Sequence, residues 1–221
     1  YTERKEKTPK VKIAKPRVFI PVFPGTNGEY EMAKAFEEAG SLVETLVMQN
    51  RTPRAIEDSL RKIAERISTS QILVLPGGSS AGDEPEGAGK FIATALRTTY
   101  VQEAIRSLLA DRDGLILGIG NGFQALVQLG LLPYGEIREF TENSPTLTYN
   151  KFGRSISRLV RTKVVSTLSP WFAGVEINAI HTLPISHGEG RFVATDVEID
   201  QMVKNGQIAT QYVDFEGNPS M

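Results

Sequence analysis

Residues 18 to 118 alternate short apolar runs with longer stretches of helical periodicity, and this alternation limits the possible folds more than any other feature of the chain. The expected strands fall at 18–23, 42–48 and 71–75, and a fourth runs into residue 118. Between them the expected helices fall at 29–39, 54–67 and 90–109. Parallel neighbours need a crossover of this length, whereas a tight turn joins only antiparallel ones, so the pattern specifies an α/β fold with helices over both faces of a parallel sheet. After residue 133 the pattern changes. The stretch 133–150 is irregular, and 157–165, 183–186 and 192–194 read as shorter strands. Residues 1–16 are rich in lysine, contain proline and hold few apolar side chains, which is the composition of a linker or tail. Residues 17–221 are then expected to form one domain.

The fourth expected strand carries the chemistry. Leu115-Ile-Leu-Gly-Ile-Gly120-Asn-Gly-Phe-Gln124 reads as an apolar strand, a small-residue elbow and the start of a helix. In a nucleophile elbow the central residue stands on a sharp strand-to-helix turn, and the positions two before and two after it must be small. Gly118 and Gly122 meet that requirement around residue 120. Backbone N–H groups near such an elbow can bind an oxyanion, and Gly78 after the third strand and Asn121 at the helix start are the expected donors. Farther along, His187-Gly-Glu189 offers a general base with a carboxylate that could orient it. His181 has no such neighbours and is read as structural. The nucleophile itself is missing, because residue 120 is glycine and the chain contains no cysteine.

A phosphate-loop reading of the same glycines fails. Phe123 stands where a dinucleotide motif needs its third glycine, and no Gly-Lys-Ser/Thr follows for a nucleoside triphosphate. The acidic residues Asp83, Glu84 and Glu86 read as a solvated loop rather than a metal site. No metal is expected anywhere in the chain: without cysteine there are no thiolate ligands, and only two histidines are present. A net charge of −1 gives no global attraction for nucleic acid or anionic membrane, and no apolar run approaches the length of a bilayer span. A cytoplasmic protein is expected.

Four stretches in this order resemble one family: Phe23-Pro-Gly-Thr-Asn27 with Glu29, Leu75-Pro-Gly-Gly78 with Ala81-Gly-Asp83, the elbow, and Ser186-His-Gly-Glu-Gly-Arg191. Together they span residues 15 to about 214 and resemble the C-terminal glutamine amidotransferase domain, class I and triad type, of phosphoribosylformylglycinamidine synthase. The resemblance implies a three-layer, flavodoxin-like domain. It also implies a glutaminase supplying ammonia for ATP-dependent conversion of formylglycinamide ribonucleotide to formylglycinamidine ribonucleotide in purine biosynthesis. In that family the elbow carries cysteine at the position of Gly120, and position 28 is often cysteine where this chain has Gly28. His187 and Glu189 would complete the triad, Gln124 would contact the glutamine substrate, and the region around Asn150 would line or support its pocket. Ser79 departs from the aromatic residue common in the family.

Partners implied by the resemblance are glutamine and a formylglycinamide ribonucleotide synthase domain, fused or separate. No cofactor is expected in this domain, with ATP and magnesium confined to the synthase. Arg154, Arg158 and Arg161 could face that partner or form a solvated basic strand, and Trp171 with Phe172 could pack or dock. The family continues for some tens of residues beyond the position of Met221, so a shortened C-terminus is expected. A competing reading is a binding module that keeps the pocket and has lost the chemistry, since glycine has no nucleophilic atom. A peptidase-like relative with the same sheet would explain the elbow but not residues 186–191.

Overall fold

The computed structural model describes residues 12–79 and 89–220. Most of the expected tail, Ala81 and Asp83 of the second sequence motif, and the acidic residues Glu84 and Glu86 lie outside the described residues. The chain gathers into two compact units that divide at Leu147 and Thr148.

The first unit holds the parallel sheet. Strands β1 (Arg17–Val22), β2 (Leu42–Val47), β3 (Ile72–Leu75) and β4 (Leu115–Gly118) lie in the order β2-β1-β3-β4, all pairs parallel. This is the flavodoxin-like order, in which direction reverses between β1 and β3 and ligands bind outside the carboxyl ends of the strands. Alternation along β1 assigns its side chains to two cores. Val18 and Ile20 join Val74 and pack with Met32 and Phe36 of α1 (Glu29–Glu38) on one face. On the other face Phe19, Leu73 and Leu75 meet Leu60, Ile63 and Ile67 of α2 (Pro53–Thr69), together with residues of the later helices. Burial on both faces explains why these strands read as continuous apolar runs.

The expected helix over 90–109 is corrected by the structure. It forms as α3 (Lys90–Leu96) and α4 (Thr99–Arg106), followed by a wider turn over Ser107–Asp111. The break falls at Thr98, whose backbone is extended at φ −58° and ψ 131°. Adjacent β-branched threonines weaken the helix there. The preceding Arg97 turns its guanidinium to the carbonyls of Gln128 and Arg138, at 2.8 and 2.7 Å. Gln128 belongs to α5 (Asn121–Leu129), so Arg97 satisfies a carbonyl at a helix end that would otherwise lack a partner. A short α6 (Leu131–Tyr134) follows and runs into the stretch expected to be irregular, which also holds β5 (Thr146–Thr148).

In the second unit β6 (Ile156–Val164) is the centre of an antiparallel sheet, with β7 (Ile180–His187) on one side and β9 (Thr210–Val213) on the other. β7 is twice the length expected, pairing from Lys163 opposite Ile180 to Ile156 opposite His187. Pro184 is tolerated because β7 is an edge strand, where a missing N–H costs no ladder bond. β8 (Arg191–Val193) falls one residue from its expected place. α7 (Asp196–Lys204) and β9 were not expected from the sequence. Trp171 and Phe172 are half-buried in a single turn, Pro170–Phe172.

Candidate active site

In the first unit the sites expected at the sheet edge come together. Thr26 closes the loop after β1, its hydroxyl donating to Phe23 O at 2.7 Å and accepting from Phe23 N at 3.0 Å. The loop then pairs antiparallel with the one after β3, Thr26 opposite Gly78 and Asn27 opposite Gly77. Gly78 lies so close to that loop that a Cβ would stand 2.6 Å from Gly25 O.

The elbow follows β4. Gly120 has φ 53° and ψ −114°, a conformation strained for any residue with a side chain. Its neighbours differ from it in one telling respect. A Cβ at Gly118 would meet Gly122 O at 2.7 Å, and one at Gly122 would run into the carbonyl of Leu75, so both positions exclude side chains. A Cβ at Gly120 would meet only Gly77 Cα, at an ordinary 3.5 Å. The turn therefore leaves room for a side chain at residue 120, directed at the Gly77-Gly78 loop. Asn121 opens α5, where the first N–H groups of a helix have no intrahelical acceptor and carry its positive dipole end. Its buried side chain donates through Nδ2 to Gln124 Oε1 at 3.1 Å, tying the glutamine to the first helical turn.

The second unit holds Asn150, His187 and Glu189. His187 ends β7, and Glu189 is buried in the turn that follows. Asn150 is also buried, and His187 Nδ1 lies 3.0 Å from its Oδ1. The sequence reading expects Glu189 to orient the imidazole; the atom found against Nδ1 is the amide oxygen of Asn150. That link spans 37 positions of sequence, so no local motif signals it. A cavity of about 510 Å³ opens beside His187, lined in part by Phe152, Arg158, Arg161, Tyr212 and Phe215. Arg161 donates to the carbonyls of Asp214 and Phe215 at 3.2 and 2.6 Å, and its guanidinium stands 5.7 Å from the Phe215 ring centre. Arg154 and Arg158 are exposed. His181, opposite Thr162 in the ladder, is exposed on the edge strand. Among the described residues no helix is long and apolar enough to cross a membrane, and no cluster of three or more histidines or carboxylates is placed to hold a metal ion.

Residues 15–221 match the family described as the CobB/CobQ-like glutamine amidotransferase domain. The chain is 30% identical over 205 residues to the phosphoribosylformylglycinamidine synthase subunit PurQ of Methanococcus maripaludis, covering 93% of this chain and 70% of that one. It is 33% identical over 208 residues to the subunit of the same name from Treponema denticola, covering 90% and 72%. Among solved structures, that of PurLQS from Thermotoga maritima is similar at 26% identity and a TM-score of 0.64, covering 90% of this chain and 76% of the other. The glutaminase domain of Trypanosoma brucei CTPS with bound acivicin shares the fold at 12% identity and a TM-score of 0.52, over 93% and 78%.

Proposed function

Because this chain belongs to the CobB/CobQ-like glutamine amidotransferase domain family, we propose that it is the glutamine-handling part of a phosphoribosylformylglycinamidine synthase. In this reading it is a class I, triad-type domain that releases ammonia from glutamine. A synthase partner, with its own ATP and magnesium, then uses that ammonia to convert formylglycinamide ribonucleotide to formylglycinamidine ribonucleotide in the cytoplasm. The similar proteins that bear the name of that synthase support the assignment.

The observation that carries it is the elbow. Gly118 and Gly122 have no space for a Cβ while position 120 has it, on a backbone held in the conformation that presents a side chain for attack. Hydrolysis of an amide needs a nucleophile, a base, donors for the tetrahedral oxyanion and a proton for the departing nitrogen. With cysteine at 120, its sulfur would add to the side-chain carbonyl of glutamine and the N–H groups of Gly78 and Asn121 would hold the oxyanion. His187 would take the thiol proton and give it to the leaving ammonia, and water would then hydrolyse the glutamyl thioester to glutamate. Glu189 would support the imidazolium, and Gln124 would contact the substrate. With glycine at 120 the covalent step has no nucleophile, so the chain as it stands is a glutaminase scaffold without its reactive atom.

Gly120→Cys tests the reading. The variant is expected to release ammonia from glutamine and to accumulate a trappable glutamyl thioester, most strongly with the synthase present, whereas the parent chain does neither. A Gly120→Cys protein that folds, meets its synthase and releases no ammonia would instead support a binding module whose chemistry has been lost.

A further inference from the structure

We infer that Asn150 is the positioning residue that decides which nitrogen of His187 carries the proton, leaving Nε2 as the basic atom. The inference deepens the glutaminase reading, and only its kinetic test rests on that reading.

Four hydrogen bonds fix the Asn150 side chain. Its Nδ2 donates to His187 O at 2.8 Å and to Arg154 O at 3.0 Å. Carbonyl oxygens only accept, so the amide nitrogen has to face them; turning the amide over would set its oxygen against two others. The oxygen Oδ1 is thereby aimed at the imidazole, 3.0 Å from Nδ1, and Gly190 N–H approaches it at 3.4 Å. An amide oxygen is an acceptor only, so Nδ1 must be the donor. In the neutral ring the lone pair then lies on Nε2. Free imidazole side chains in water favour the opposite tautomer, so this contact reverses the ordinary preference.

The surrounding backbone holds both partners. Asn150 N–H donates to Gly188 O at 2.9 Å, and Gly153 N–H closes the Asn150 turn on its carbonyl at 2.9 Å. His187 pairs with Ile156 at the end of the β6–β7 ladder. Because Nδ1 carries a proton in this tautomer and in the imidazolium alike, Oδ1 accepts from it in both and orients the ring throughout a proton-transfer cycle. Asn150 thus acts through His187.

The chain has two histidines, so ¹⁵N-imidazole spectra of the full chain are simple, and His181→Gln assigns them. Above the histidine titration range, His187 is expected to show protonated Nδ1 and unprotonated Nε2. Asn150→Leu is expected to shift it toward the Nε2–H form of free histidine. In the Gly120→Cys background, Asn150→Leu should lower kcat at least about tenfold with KM for glutamine within about twofold. Nε2–H as the main form in the parent chain overturns the inference, and that result does not depend on the leucine variant folding. Retained Nδ1–H in a folded Asn150→Leu protein, or a rise in KM at constant kcat, also overturns it. If Gly120→Cys releases no ammonia, the glutaminase reading fails while the spectra still decide the role of Asn150.

Discussion

At Gly190 the backbone passes so close to His187 that a Cβ would press on Cε1 and Nδ1 of the ring. These atoms border the contact with Asn150, so Gly190→Ala is expected to displace the imidazole and remove the Nδ1–Oδ1 bond. The measurement is again the ¹⁵N spectrum of His187, and in the Gly120→Cys background most of the ammonia release should be lost. A Gly190→Ala protein with unchanged His187 resonances would show that the ring and turn have slack. At this scale the sequence was informative wherever a requirement is local. Glycine two before and two after residue 120, and His-Gly-Glu within three positions, are visible as strings because each reflects contact between near neighbours. Asn150 was expected only to line or support the substrate pocket, because its link to His187 is made by antiparallel pairing that returns β7 to the end of β6.

The same distinction separates the elements that were legible from those that were not. β1 to β4, α1 and α2 fall within a residue or two of their expected bounds because packing gives each an apolar period: β1 and β3 are buried on both faces, and the edge strand β2 sends Val43 to one core and Leu46 to the other. α7 was missed: its apolar face is narrow and Val197, Ile199 and Val203 are exposed. Its start was nevertheless written in the sequence as Thr195-x-x-Glu198. Thr195 Oγ1 accepts from Glu198 N at 3.3 Å, and Glu198 Oε2 accepts from Thr195 N at 3.1 Å, a reciprocal capping box. Thr195→Ala is therefore expected to cost about 1 kcal/mol and to lower Tm by a few degrees in thermal unfolding. Adding Glu198→Ala should cost less than it does alone, since each side chain satisfies a donor near the other. Additive losses would mean that the two bonds do not act as a unit. The break at Thr98 is not legible in the sequence for a different reason: Arg97 is drawn to carbonyls 31 and 41 positions away, a tertiary pull with no helical period.

On the scale of the whole molecule, the proposed function requires a partner. Ammonia released into neutral water is mostly ammonium, which has no lone pair for attack, so a glutaminase gains from being docked on the enzyme that consumes its product. The basic side chains outside the internal bonds of the second unit are the natural place to look for that contact. Arg161 is committed to the Asp214 and Phe215 carbonyls, whereas Arg154 and Arg158 extend from the surface. Exposed charges of this kind contribute little to stability, so reversing them should leave the fold intact. They act instead on encounter and register with a complementary surface, an effect weakened by salt. In the Gly120→Cys background, Arg154→Glu with Arg158→Glu is expected to preserve ammonia release by the isolated chain. The same pair should reduce transfer of glutamine nitrogen into formylglycinamidine ribonucleotide when the synthase is added. The ratio of amidine formed to glutamine hydrolysed should fall, and the deficit in binding should grow smaller as ionic strength rises and the parent's own electrostatic attraction is screened. An unchanged ratio would place the synthase contact elsewhere on the chain.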